Sequence, residues 1–512
     1  MRAQCTGTYQ RLGFLARFVR GSYESQGEIV EPISTRMSFE HLLVQLLNRL
    51  STPRPAKLGR GDLVLGTSSR RQQPFVVFPV KLRCQHLSIV GLSGTGKTYL
   101  IEHMIRQDIR DNVGFVVFDL HGDLAERIIA YLAERAPAYP EAYDRLVIVE
   151  PFNPDRTFGF NPLQGDEHTA PYAQAREFAH MLRARWSDSS LGFRTEELLR
   201  NALYALLTAG ATLLALPRFL SDQSLRTALV RRLPADDDIR SYWLKRYDRL
   251  SPKMQAALCE PILTRLSSFL TDPQIRDILG QRKTTLDFKD AMQRGAWVVL
   301  NLAKGRLGEN AAILGSMLLT KLELDIMARA HIPETDRRLF IVYADELQNL
   351  ASDTIGRLIA EARKFKVSLV AGHQYWHQLE PTMRHALLAA GSKVFFRLHY
   401  HDAFELAGEL ASNEKARYTN LLTALDTGEA VFRIGAAAPS LATVLSHRPA
   451  KPTADEIAKL RDHSDRRVTR SRSDVRRELA CQEDPAFPVF QERNNQSFIA
   501  ADIDPPNDVP HA

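Results

Sequence analysis

The sequence predicts an α/β protein, a mostly parallel sheet covered by helices on both faces and interrupted by an all-helical insertion. Three observations carry this. Short, β-branched apolar runs alternate with helix-period segments, as parallel strands joined by crossover helices do. Between 166 and 292 the alternation stops, and the text is rich in helix formers without a convincing strand. A glycine-rich loop, "GLSGTGKTYL" at 91–100, joins one buried strand directly to one helix.

Taken in order, residues 1–80 form a leader with an amphipathic helix candidate, "FEHLLVQLLNRL", and short β-like runs around "DLVLGT" and "FVVFPV". Residues 81–165 hold the first part of the core, with strands "HLSIV", "GFVVFD" and "RLVIVE". These runs are continuously apolar, as strands buried on both faces should be. The insertion, 166–292, places Leu198, Leu199, Leu203 and Leu206 at helical spacing. The core resumes over 293–446 with "AWVVLNL", "LFIVYAD", "VSLVAG", "KVFFRL" and "EAVFRI". From 447 to 512 the text turns to "HRPAKPTADE", then "RRVTRSRSDVRR", then an acidic, proline-bearing finish. A tail so poor in apolar residues is expected to be mostly disordered.

Bulk properties narrow the function. The chain has 512 residues, 44% hydrophobic and 25% charged, an ordinary soluble composition, with a net charge of +7 that suits a polyanionic partner. Cys5, Cys84, Cys259 and Cys481 are far apart, so the spacing suggests neither a zinc site nor a disulfide framework, and a reducing cytoplasm fits. The longest apolar stretch, Ala202 to Leu216, stops at Pro217, short of the roughly 17–25 residues of a membrane span. The arginine-bearing N-terminus lacks the apolar centre of a signal peptide. A soluble, cytoplasmic protein is expected.

Gly91, Gly96, Lys97 and Thr98 satisfy G-x-x-x-x-G-K-[ST]. The backbone N–H groups of Gly91, Ser93, Gly94, Thr95 and Gly96 can cradle a β-phosphate. Lys97 neutralises the β- and γ-phosphates, and the Thr98 hydroxyl can ligate Mg²⁺. The helix that follows puts Leu100, Ile101, Met104 and Ile105 on one inward face and aims its N-terminus at the same anion. ATP and Mg²⁺ are the expected ligands. A second carboxylate at a buried strand end completes such a site, and "LFIVYADELQNL" supplies Asp345 for the metal and Glu346 to take a proton from water. That adjacent acid favours an ATPase, ATP and water to ADP and phosphate, over a phosphotransferase. "KVSLVAGHQYWHQLE" ends another strand at Gln374, a candidate sensor of the γ-phosphate. Arg363, and secondarily Arg194, could reach the ATP of a neighbouring subunit. His121 and Asp123 read better as a strand-end turn than as metal ligands. Lys304 and Arg306 are candidates for a channel loop, and "RRVTRSRSDVRR" for phosphate contacts.

Together these segments resemble the HerA–FtsK superfamily of ring-forming, DNA-translocating ATPases. The nearest likeness is to the TraG/TraD-like coupling ATPases of conjugation and type IV secretion. "GFVVFDLHGDLAERI", "GFNPL", "LLRNALYALL", "VLNLAKGRLGE", "YADELQNLAS", "EARKFKVSLVAGHQY" and "GEAVFRIG" read like family text in family order, over roughly 60 to 440. The resemblance implies a RecA-like core and a homo-hexamer with ATP between subunits, hydrolysing it faster when double- or single-stranded DNA occupies the channel. It implies Lys97 and Thr98 as phosphate and metal residues, Asp345 and Glu346 as metal ligand and base, Gln374 as sensor and Arg363 as the arginine given in trans. Two features depart from the pattern. Leu120 stands where proline is usual, and the transmembrane helices that usually open coupling ATPases are not found. A relaxase, a secretion channel or a nuclease are the implied partners, with recruitment to the inner membrane through one of them. The competing readings are a nucleotide-gated docking receptor for relaxase or effector proteins, and a HerA-type motor partnered with a nuclease in DNA processing or defence.

Overall fold

A computed structural model describes residues 58–68, 74–165, 167–186, 192–350 and 352–483. Every core strand read from the sequence forms. In chain order the strands are β1 (Leu63–Thr67), β2 (Phe75–Phe78), β3 (Leu87–Val90), β4 (Gly114–Asp119), β5 (Leu146–Val149), β6 (Arg156–Phe158), β7 (Trp297–Asn301), β8 (Phe340–Ala344), β9 (Val367–His373), β10 (Ser392–Phe395), β11 (Glu429–Arg433), β12 (Ser440–Val444) and β13 (Thr469–Ser471). Among the described residues the main sheet runs β2-β1-β12-β11-β10-β3-β9-β8-β4-β7-β5. From β10 to β5 every neighbouring pair is parallel, while β2, β1, β12 and β11 form an antiparallel flank ending on β10.

Side chains alternate across the parallel strands, so each strand feeds two cores. On β4, Phe115 and Val117 pack with Leu100, Ile101, Met104 and Ile105 of the helix Lys97–Arg110. Val116 and Phe118 face the other way, into a core shared with the helix Asn310–Met327 and the insertion. The insertion is helical as expected, its helices including Pro171–Arg185, Phe193–Thr208 and Pro252–Leu270, with Leu198, Leu199, Leu203 and Leu206 all buried. Its apolar stretch breaks after Thr208, where Gly210 takes φ +69. No helix among the described residues is long and apolar enough to cross a membrane.

The tail departs from expectation. Residues 454–483 fold into a helix, Ala454–Val468, the strand β13 and a second helix, Arg472–Glu483. The first helix opens on a reciprocal cap between Thr453 and Glu456. β13 pairs antiparallel with β6. Few apolar residues are present, but Leu460, Val468, Val475 and Leu479 recur at helical spacing and are buried. The arginines of "RRVTRSRSDVRR" have partners within the chain: Arg472 Nη1 lies 2.6 Å from Asp277, Arg476 3.0 Å from the same carboxylate, and Arg470 2.9 Å from Glu478. Average composition concealed a short amphipathic pattern whose charges are matched by Asp277 of the insertion and by Glu478 within the tail. The helix candidate at 39–50 and residues 484–512 lie outside the described residues.

Candidate nucleotide site

The parallel strands all present their carboxyl ends at one edge, where α/β sheets place their ligands. From β3 the chain turns through Gly91–Gly96 into the helix Lys97–Arg110. Gly96, the residue before that helix, has φ +116 and Gly94 has φ +74, conformations that a Cβ would strain. Ser93 and Gly94 are exposed at the crest of the loop. A Cβ built at Gly94 meets nothing within 4 Å, so the crest is open to a ligand. Thr95 is buried and braces the turn: its hydroxyl donates to Leu92 O at 2.8 Å, and its carbonyl accepts from Gly428 N at 2.9 Å. Lys97 Nζ donates to Leu92 O at 3.1 Å, folded back over the loop it serves.

β8 ends on Ala344, and Asp345 and Glu346 follow at the same edge. Thr98 Oγ1 donates to Asp345 Oδ2 at 2.6 Å, joining two segments far apart in sequence. The neighbouring strand makes room for this carboxylate. A Cβ at Gly372 of β9 would sit 2.9 Å from Asp345 Oδ1 and 3.1 Å from Ile101, so a side chain there would push the carboxylate from its place. Glu346 takes φ +57 and ψ +47, left-handed for a residue with a side chain. Its two carboxylate oxygens accept from two amides: Gln374 Nε2 reaches Oε1 at 2.5 Å, and Gln348 Nε2 reaches Oε2. His121 Nε2 stands 4.0 Å from Oε1. The ends of β3, β8 and β9 therefore meet at one place.

Electrostatics say what the place suits. Lys97, Asp345 and Glu346 are all nearly buried. Burial pulls the Lys97 ammonium below its ordinary value, against the pull of Asp345 and Glu346. Burial pushes the Asp345 carboxyl up; the Thr98 hydroxyl opposes this, and Glu346 adds to it. An anion at Lys97 and a cation at Asp345 would relieve both, which is what a magnesium–phosphate unit brings. Among the described residues no three His, Cys, Asp or Glu side chains cluster as a metal cage. Mg²⁺ takes one or two protein ligands together with phosphates and water, and Thr98 and Asp345 are oxygen donors of that kind.

Other expectations resolve differently. Arg363 is exposed just before β9, while Gln374 follows that strand's far end. At roughly 3.3 Å per residue, the seven residues of β9 separate them by more than about 20 Å, so Arg363 does not join its own chain's site. Arg194 is exposed at the start of the helix Phe193–Thr208. His121 belongs to the turn after β4, and Asp123 opens the helix Asp123–Arg135: the buried Asp119 carboxylate accepts from the N–H groups of His121, Gly122 and Ala125 at 2.8 to 3.0 Å. Lys304 and Arg306 are exposed on a short helix after β7, with Lys304 3.2 Å from Glu309 and Arg306 over the Phe152 ring. Sequence reasoning missed Gly372, Gln348 and Asp119. A glycine inside an apolar strand was the available signal for the first. The other two act over short spacings, Gln348 on Glu346 two residues back and Asp119 on amides two, three and six residues on, through turn geometry that the residue types alone do not announce.

The sequence model of the type IV secretion-system coupling protein DNA-binding domain family matches residues 70–397, most of the chain. The chain belongs to this family. The TraG/TraD-like reading within the HerA–FtsK superfamily holds, and the core is RecA-like. Similar solved structures include the bacterial conjugative coupling protein TrwBdeltaN70 in an unbound form, at 14% identity over 80% of this chain and 93% of that one, with a TM-score of 0.52. The plasmid coupling protein TrwB in complex with ADP and Mg²⁺ is 15% identical over 80% and 94%, with a TM-score of 0.51. VirB4 of Thermoanaerobacter pseudethanolicus is 14% identical over 76% and 98%, with a TM-score of 0.50. At these identities the likeness is one of fold. No curated protein matches this chain.

Proposed function

We propose that this chain is an ATPase that moves DNA through a ring of six copies, serving conjugative transfer or type IV secretion. The observation that carries the reading is the convergence of Lys97 and Thr98, Asp345 and Glu346, and Gln374 at one sheet edge. Lys97 leaves the Leu92 carbonyl to neutralise the β- and γ-phosphates of ATP. Thr98 and Asp345, already in contact, would hold Mg²⁺. The ion would supply charge neutralisation on the triphosphate. Glu346 takes the proton of the attacking water, and Gln374 and Gln348 orient its carboxylate for that transfer. Water's oxygen joins the γ-phosphorus, the bond to the ADP oxygen breaks, and ADP and phosphate leave.

Two further observations support a ring acting on DNA. Arg363 is exposed and remote from its own site, which supports the reading that it serves a neighbour's γ-phosphate, where a planar cation steadies building charge. The matched family is described by DNA binding, and TrwB is a conjugative coupling protein. Relaxase and secretion-channel proteins are the partners this role calls for. The test is steady-state ATP turnover by the purified chain, with and without DNA of graded length. DNA should raise turnover, and Lys97→Ala should abolish it in both conditions. Turnover indifferent to DNA across salt and length would overturn the motor reading.

A further inference from the structure

Beyond β9 the chain runs through Gln374, Tyr375, Trp376 and His377 without helix or strand. Such a segment has no ladder to fix it, so its backbone N–H groups need partners from elsewhere. Two of them share one carboxylate. Trp376 N donates to Asp402 Oδ2 at 3.0 Å, and His377 N donates to Asp402 Oδ1 at 3.2 Å. The His377 ring adds a third contact, Nδ1 to Oδ1 at 3.1 Å. Asp402 is only 1% exposed, and Trp376 only 2%. The indole N–H of Trp376 goes to Glu405 at 2.8 Å, and the Tyr375 ring stacks on His399.

Asp402 lies in the first turn of the helix Tyr400–Leu410, and the stretch leading into that helix follows β10. There Arg397 O accepts from Leu92 N of the phosphate loop at 3.0 Å, and Phe396 N donates to Val90 O at 2.9 Å. Residues 396–402 are thus hydrogen-bonded at one end to the phosphate loop and at the other to the segment carrying Gln374.

We propose that Asp402 is the positioning residue of the hydrolysis sensor, holding Gln374 in register with Glu346 and linking its movement to the phosphate loop through residues 396–402. This rests on the ATPase reading above. Gln374 makes its contact from a segment in which the amides two and three residues on, of Trp376 and His377, are pinned by Asp402, so releasing them lets the Gln374 amide drift from the Glu346 carboxylate. Asparagine at 402 would turn one acceptor oxygen into an N–H₂ donor that faces a donor, losing at least one bond and leaving a buried N–H unpaired.

The experiment compares full-length wild type, Asp402→Asn, Gln374→Ala and the double variant in steady-state ATP turnover. Asp402→Asn should lower kcat by about tenfold to a hundredfold, the scale on which misplacing a reacting group slows a reaction. Its KM for ATP should stay within about twofold, because Lys97 and Thr98 are untouched. In the double variant the second substitution should add nothing to the first. Additive losses, or an unchanged kcat, would overturn the proposal, whereas a wild type without turnover would instead overturn the ATPase reading. A second measurement does not depend on the variant folding. Emission from Trp376, assigned by its loss in Trp376→Phe, should differ between wild type saturated with ADP and with a non-hydrolysable ATP analogue. Identical emission in the two complexes would contradict the link between sensor and Asp402.

Discussion

At Glu346 two requirements meet in one residue. Its backbone sits at φ +57, a conformation that costs a residue with a Cβ of the order of 1 kcal/mol or more. Its side chain is the carboxylate that Gln374 and Gln348 hold for proton transfer. Two results follow for variants. Glu346→Gln should lower kcat by about a hundredfold or more while ATP still binds, since the amide cannot take the proton but fills the same space. Glu346→Gly should be more stable to urea than Glu346→Ala by about 1 kcal/mol, because the two differ mainly in the cost of a left-handed backbone. Equal stability of the pair would show that this turn stores no strain. Lys97, Thr98, Asp345 and Glu346 were legible in the sequence because each follows a buried strand at fixed spacing. Gln348 lies in that same stretch without a signal of its own, since its role depends on a left-handed turn at Glu346 that brings it back onto that carboxylate. Gly372 leaves room for Asp345, which follows the adjacent strand, and although a glycine in an apolar run is visible in the sequence, the carboxylate it faces is not.

Among the elements, the strands were the easiest to read. Buried on both faces, they stand out as continuous apolar runs, whereas β12 with its exposed Leu441, and the three-residue β6 and β13, carry no such signature. The tail was misread because net charge and apolar content average over its length, while folding depends on where the few apolar residues fall. Its attachment also uses a charge cluster: Arg472, buried, donates to Asp277 and to the carbonyls of Asn153 and Pro151. Asp277 belongs to the insertion's helix Pro273–Leu279, so residues 454–483 tie the core to the insertion. Asp277→Ala leaves the Arg472 guanidinium buried without its counter-charge and should destabilise the chain by about 3 kcal/mol or more in urea denaturation. A loss under about 0.5 kcal/mol, the range of an ordinary surface substitution, would show that this attachment is incidental.

For the whole molecule, the sheet with a core on each face sets both stability and function, because its carboxyl edge is rigid enough to align three strand ends. The same burial makes the fold sensitive to acid. His86 and His373 are buried and held neutral, with burial pulling their values to about 4 and about 3. His86 Nδ1 accepts from Leu369 N, a role closed to the protonated ring. Unfolded histidine titrates near about 6.5, so these groups give stability that is present above that pH and lost as pH falls toward the folded values. Each should add a slope of up to about 1.4 kcal/mol per pH unit between about pH 6 and pH 4 in urea-derived stability. A flat profile there would contradict neutral burial.

The most direct test of the account is a structure of the Glu346→Gln variant with ATP and Mg²⁺ bound. The account predicts the triphosphate in the 91–98 loop against Lys97, the metal held by Thr98 and Asp345, and the Gln374 amide on the γ-phosphate side of the same ligand. A nucleotide bound elsewhere, or bound with Asp345 and Gln374 turned away from it, would contradict it.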